Sequence, residues 1–336
     1  MGALADWVYT QDSARLRMWA IAVAVATMGF NAMVGLGWIA AENTLYAGAR
    51  LPWLAIFLGG MLFGCGMVFA SGCGSRTLTR LGAGNLKALV VLGGMVFSSM
   101  LALHGIVAVW NARWLDPLAT TLPTGQDLPS LLSWAWGAAP VSYWAPMIGS
   151  IIAGLCVVWV VASPSGRKFE VWCGGLGVGL LVTAYWWLSG VYGYVLEHPE
   201  TLEEAFLSTR SNRMESFTFV APVAYAMDWL MYFSDQARVV TMAIVTVPGV
   251  ILGATMIATF TGTFRWQSFQ TTEDFVHHLM GGMLMGWGGV MALGCTIGQG
   301  ITGISTLSIG SFLALAGIAL GGVAALKYQM RRIYSA

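Results

Sequence analysis

Charge is what this sequence lacks. Only 9% of its residues are Asp, Glu, Lys or Arg, where a water-soluble domain carries about a quarter. So little charge cannot cover a folded surface in water, which excludes an ordinary soluble domain and points to lipid as the solvent. The net charge of +1 leaves no basic footprint, so nucleic acid is not expected as a partner. Cysteine is also sparse and scattered. The five thiols, Cys65, Cys73, Cys156, Cys173 and Cys295, are odd in number and form no clustered pairs, which argues against a disulfide scaffold or a zinc site. No metal or cofactor is expected. No basic leader precedes an apolar core, and Asp6 and Asp12 interrupt the first residues, so no cleavable signal peptide is read.

What the sequence has instead is long apolar runs. Uncharged stretches cover 18–41, 51–75, 88–112, 128–166, 171–196, 239–264 and 279–326, and about 20 apolar residues suffice to cross a hydrocarbon core. The last is too long for one pass and is expected to turn near 294–303. Tryptophans at run ends (Trp38, Trp53, Trp110, Trp114, Trp266) suit interfacial anchoring. The fold class is an all-α integral membrane protein, a single transmembrane domain over 1–336.

The chain repeats itself. Residues 59–73 (GGMLFGCGMVFASGC) and 281–295 (GGMLMGWGGVMALGC) agree at ten of fifteen positions without a gap, at an offset of 222. The same offset sets Asp6-Trp7 on Asp228-Trp229. Repeat one is read over about 1–111, connecting spans over about 140–195, and repeat two over about 217–332. Orientation follows from loop charge. Arg15 and Arg17, then Arg76, Arg80 and Lys87, then Arg167 and Lys168 all fall on one side, which the positive-inside tendency makes cytoplasmic. The acidic stretch with Glu197, Glu200, Glu203 and Glu204 falls outside. The segment 217–233 is short and interrupted by Pro222 and Asp228. If it does not cross, there are eight spans plus short half helices, and repeat two is upside down. If it crosses, there are nine and the repeat is parallel. Inverted repeats are typical of transporters, with sites where the repeats meet. Repeat one lacks a counterpart of the span preceding repeat two, and the reading favoured here is that the chain as given starts late.

Each repeat ends its glycine-rich helix at Gly-Cys. The first reads Gly72-Cys73-Gly74-Ser75-Arg76-Thr77, the second Gly294-Cys295-Thr296-Ile297-Gly298-Gln299-Gly300. Helix-breaking sequence at membrane depth belongs where it is buried or lines a cavity, and a helix starting just after the break points its positive end at it, a site for an anion. Ser75, Thr77, Thr296, Gln299 and Thr302 can add hydrogen bonds. A thiol is a soft, weak donor, suited to a ligand that presents sulfur. Cys73 and Cys295, recurring at matched breaks, are the functional candidates on a substrate path with Gly72, Gly74, Ser75, Thr296, Gln299, Arg76 and Arg80. Arg76 and Arg80 serve equally well as an anion-holding mouth or as charge-rule residues. Cys65, Cys156 and Cys173 are read as packing, and glycines four apart (Gly60/Gly64, Gly282/Gly286) as close helix contacts. Asp6 and Asp228 are read as helix caps, His104 as a buried hydrogen-bonding partner, His277 and His278 as solvated.

At these residues the sequence resembles the YeeE/YedE sulfur-transport family. The likeness runs through GCGMVFASGCGSRTLTRLGAGNLKALVV (64–91), ESFTFVAPVAY (215–225) and GGMLMGWGGVMALGCTIGQGITGISTLSIGSF (281–312). It implies a multi-pass protein of the bacterial inner membrane that imports thiosulfate, with path cysteines at Cys73 and Cys295 and a TusA-like sulfur carrier as a cytoplasmic partner. The family's further path cysteine, in an N-terminal Phe-Cys-Thr segment, has no match here. The expected mechanism is a relay of the dianion between the two thiols without a covalent step. The rivals are a channel for sulfite or a selenium species, a membrane thiol–disulfide enzyme and a purely structural membrane subunit.

Overall fold

The computed structural model describes residues 13–137, 140–197, 202, 204–235 and 239–335, with side chains to 331. Asp6, the other half of the Asp-Trp pairing, lies outside them. Among the described residues, helix dominates, and the sheet content is two two-stranded ribbons: β1 (Arg50–Leu51) with β2 (Thr120–Thr121), and β3 (Tyr194–Val195) with β4 (Ala205–Phe206).

The helices are α1 (Ala14–Gly35), α2 (Trp53–Phe69), α3 (Gly74–Gly82), α4 (Leu86–His104), α5 (Ile106–Trp114) and α6 (Leu128–Trp136). They continue with α7 (Val141–Val161), α8 (Phe169–Trp187), α9 (Ala221–Met231), α10 (Met242–Phe260), α11 (Thr272–Met291) and α12 (Ile309–Ser335). Among the described residues, seven stretches are long and apolar enough to cross a membrane, with α2 and α3 counted together as one. An eighth helix, α11, has 20 residues but carries Glu273 and Asp274 in its first turn. The helix within 217–233 is α9, of 11 residues. At 1.5 Å per residue it covers about 16 Å, roughly half a hydrocarbon core. Large apolar side chains such as Ile106, Leu180 and Phe260 stand exposed along the outer faces, the surface expected of a chain solvated by lipid. The five end-of-run tryptophans are exposed too.

Glycine sets the packing at the centre, where α2 and α11 cross with almost no side chain between them. A Cβ at Gly59 would lie 2.8 Å from the Gly288 carbonyl, and one at Gly288 would lie 2.5 Å from the Gly59 carbonyl. Gly66 and Gly281 meet in the same reciprocal way, at 2.7 and 2.8 Å. Residue 59 therefore meets 288 while 66 meets 281, so the helices run antiparallel. Because 281 and 288 are the positions 222 residues after 59 and 66, the contact has the symmetry of a two-fold axis between matched helices. The outer partners follow suit. α12 packs along α2 at Gly60 and Gly64, and α4 packs along α11 at Gly282 and Gly286. α7 and α8 pack against α1. Cys65 donates to the Gly321 carbonyl at 3.3 Å, at the α2–α12 seam.

Several expectations are corrected. His104, the last residue of α4, is exposed rather than buried, and Cys173 on α8 is exposed rather than packed inside. Asp228 does not cap a helix start; it lies in α9, buried, and pairs with Arg210, whose guanidinium stacks over the Tyr225 ring at 5.2 Å. Burying a carboxylate demands such a partner. His278 is buried rather than solvated, because its Nδ1 is 2.8 Å from the Asp274 carbonyl oxygen and 3.0 Å from its carboxylate.

Candidate functional site

Both glycine-rich helices end in the same hydrogen-bond pattern. At the end of α2, Ser71 takes φ 57°, its N–H bonds the Val68 carbonyl, and the Gly72 N–H reaches back to Met67. At the end of α11, Leu293 takes φ 56°, its N–H bonds Val290, and Gly294 reaches back to Gly289. Each is a Schellman ending, and all of its atoms correspond at 222 residues. A left-handed backbone costs non-glycine residues about 1–2 kcal/mol, yet neither Ser71 nor Leu293 is glycine. Both breaks are also stapled from the helix beyond: Arg80 donates to the Ser71 carbonyl at 3.3 Å, and Gln299 Nε2 donates to the Ala292 carbonyl.

The chain then starts helix again at each cysteine. The Cys73 carbonyl accepts the Thr77 N–H at 2.9 Å, and the Cys295 carbonyl accepts the Gln299 N–H at 2.7 Å. Cys73 precedes α3, and Cys295 precedes a π-helical turn at Gly298–Gly303, a local form frequent at functional sites. The long apolar run thus turns where its glycines predicted. Two helix N-termini, each with orphan N–H groups, open at the thiols.

The thiols share one layer. Cys295 is fully buried, and half-buried Cys73 packs against the same cluster of Phe63, Met67, Met95, Phe219 and Met285. They lie within electrostatic reach of each other. Thr296, from the second break, approaches the Cys73 thiol but falls short of a geometric hydrogen bond, since its Oγ1 has no partner. Cys73 Sγ is 3.2 Å from Ser75 Oγ. Cys295 Sγ accepts the Gly298 N–H at 3.4 Å, with the Phe219 N–H also directed at it. A sulfur that accepts from backbone leaves its own S–H free to donate.

The remaining sequence candidates divide into two groups. Gly72 and Gly74 supply bare backbone beside Cys73; a Cβ at Gly74 would meet Met95 Sδ at 3.6 Å, so Gly74 is not forced by crowding. Arg76 is exposed and Arg80 half-buried on α3, near the Lys87–Asp274 ion pair of 2.5 Å. Gln299 is buried; its Nε2 donates to the Ala292 carbonyl and holds the break, while its Oε1 is buried without a hydrogen-bond partner. Sequence reasoning missed the irregular passage Glu215–Val220, which runs between the breaks. Thr302 Oγ1 bonds the Phe217 carbonyl at 2.9 Å, and Thr218 sits against Gly298. It also missed a buried polar set behind the π turn: Asn31 donates to the Ser305 carbonyl at 3.0 Å, and Trp186 Nε1 to Ser305 Oγ at 3.0 Å. The only hint was that 215–225 belongs to the family-like stretches.

Two cavities are lined by neither Cys73 nor Cys295. One of about 440 Å³ is lined by Trp38, Glu42, Asn43, Ser142, Tyr194 and Phe206; another, of about 470 Å³, by Tyr185, Phe217, Thr241, Val245 and Thr246 among others. Cavity size therefore does not pick out the thiol layer, which is tightly packed. Among the described residues, no group of His, Cys, Asp and Glu is placed to hold a metal ion.

The chain is similar to two proteins named thiosulfate transporter TsuA. That of Escherichia coli K12 is 24% identical over 324 residues, covering 95% of this chain and 86% of the relative. That of Spirochaeta thermophila is 27% identical over 273 residues, covering 76% and 72%. The model of the sulphur transport family matches residues 1–324, and the chain, a multi-pass membrane protein by its helices, belongs to that family.

Proposed function

We propose that this protein takes up thiosulfate across the bacterial inner membrane, passing the dianion between Cys73 and Cys295. One observation carries the reading: the two broken helices face each other, so that both thiols and two helix N-termini meet in one buried layer. Thiosulfate has a terminal sulfur and three oxygens on a doubly charged ion. The thiols offer S–H donors to the sulfur at little desolvation cost, and the helix N-termini offset the charge. No bond to carbon or sulfur of the protein has to form. The antiparallel crossing of matched helices supports the inverted orientation of the repeats, with eight spans once α11 is counted and α9 confined to one leaflet. In that orientation Arg76 and Arg80 stand at the inner mouth, where a TusA-like carrier would collect the product. The rival substrates, sulfite and selenium species, share the charge but differ in the sulfur end.

The test is growth on thiosulfate as sole sulfur source of a strain dependent on this chain. Cys73→Ala and Cys295→Ala should each abolish growth at undiminished membrane levels, and excess sulfate should not compete for uptake. Full growth with both variants would remove the thiols from the mechanism.

A further inference from the structure

The thiols account for the sulfur end of such a substrate and leave its oxygens unassigned. Thr218 is 7% exposed, and its Oγ1 is buried without a hydrogen-bond partner. Buried hydroxyls are almost always paired, because an unpaired one forfeits its bonds to water. It lies on the passage between Phe217 and Phe219, and the Phe219 N–H points at Cys295. Its hydroxyl sits over the bare Cα of Gly298, where a Cβ would come within 2.7 Å of Oγ1. The Gly298 N–H is the one bonded to the Cys295 sulfur. A second orphan hydroxyl, Thr296 Oγ1, lies on the Cys73 side. Two unpaired hydroxyls thus flank two thiols at the same helix starts.

The geometry points to Thr218, seconded by Thr296, as the oxygen-binding half of the site, which selects sulfur anions that carry both a terminal sulfur and oxygens. This rests on the thiol layer being the substrate path. The ligand orients with its sulfur toward the thiols and its oxygens toward the hydroxyls, and an oxygen-free sulfide gains nothing from Thr218.

The test is initial-rate uptake of sulfur-labelled thiosulfate by wild type, Thr218→Val, Thr218→Ser and, in parallel, Cys295→Ala, at matched membrane levels. Valine keeps the shape and removes the donor. One hydrogen bond to a charged ligand is worth about tenfold to a hundredfold in affinity, so KM should rise by that factor in Thr218→Val, while Thr218→Ser recovers most of it. A purely structural role would lower membrane levels or maximal rate and leave KM alone. Should Thr218→Val fail to insert, Gly298→Ala asks the same question by displacing the hydroxyl and should also raise KM. A wild-type KM in Thr218→Val, or in Gly298→Ala where valine fails to insert, with uptake lost in Cys295→Ala, overturns this inference and leaves the thiol path standing. Unimpaired uptake in Cys295→Ala overturns both.

Discussion

Adding one methyl group at the α2–α11 crossing tests the architecture directly. In Gly288→Ala the new Cβ would lie 2.5 Å from both the Gly59 carbonyl oxygen and the Phe63 nitrogen. Neither atom is at the end of a flexible side chain, so the helices themselves must part by about 1 Å to restore ordinary contact, and interiors at crystal-like density resist that. Overpacking of this kind costs about 1–3 kcal/mol. Alanine returns about 0.5–1 kcal/mol through its better helix propensity, so the net loss should fall between about 0 and 2.5 kcal/mol, centred on about 1. The matched position Gly66→Ala meets the Gly281 carbonyl at 2.7 Å and should lose a similar amount. Gly177→Ala, on α8 with no atom within 4 Å of its Cβ, is the control and should be neutral or slightly stabilising. The assay is thermal unfolding in detergent, followed by tryptophan fluorescence and by retention of the monodisperse peak. A midpoint for Gly288→Ala or Gly66→Ala at or above that of Gly177→Ala would mean that these glycines do not serve close backbone approach.

Ser71→Gly should stabilise the first break by about 1 kcal/mol, because glycine takes the left-handed backbone without strain; an unchanged or lower unfolding midpoint refutes this. Arg210→Ala should cost about 3–5 kcal/mol by leaving Asp228 buried without that partner, read as lost expression or a collapsed midpoint, whereas wild-type stability would mean the pair is not buried in the membrane. Burial holds the Glu215 carboxyl above the ordinary glutamate range, so the folded chain binds a proton that the unfolded chain releases. Its contribution to stability is greatest at low pH and declines as pH rises from the unfolded pKa, near 4.3, through the folded one. Glu215→Gln should flatten that decline; an unaltered pH profile of unfolding would exclude it.

Much of this was legible in the sequence because membrane spans announce themselves by the scarcity of charge, and because the Gly-Cys repeat carries its own register. The breaks were readable from Gly72-Cys73-Gly74 and from the glycines after Cys295, since nothing else explains so much helix-averse sequence inside an apolar run. Asp228 was misread because its alignment with Asp6 suggested a cap. Its true partner, Arg210, lies 18 residues upstream in a passage with no regular period, so no spacing rule could join them. Gln299 was placed at the right break, but that its Nε2 bonds its own helix end at Ala292 was not foreseen. A side chain that can bond its own helix end looks, on paper, the same as one that reaches a ligand. The passage 215–220 was invisible as a site for a related reason. It is neither helix nor strand, and its value comes from being threaded between two breaks distant in sequence.

The thiol layer presents an apparent contradiction: a dianion is asked to pass where the structure is densest and least polar. Burying an isolated charge there would be prohibitive, so the passage depends on what the breaks expose. Each break converts a helix interior, whose N–H groups are spent on its own carbonyls, into a helix start, whose first N–H groups have no carbonyl of that helix to bond and can turn toward the cysteine, as the Gly298 N–H does to Cys295 Sγ. One such start would hold an anion from one side only. Because matched helices cross antiparallel at Gly59, Gly66, Gly281 and Gly288, the second start opens onto the same layer from the other half, and in the proposed relay an ion leaving one set of donors would enter the other without crossing bare hydrocarbon. The glycines therefore do more than let helices touch. Any spacer between α2 and α11 would pull Cys73 and Cys295 apart, so Gly288→Ala should slow thiosulfate uptake at temperatures where the protein is still fully folded. Wild-type uptake from a folded Gly288→Ala protein would show that the separation of the thiols is not critical, and the relay would lose its geometric basis.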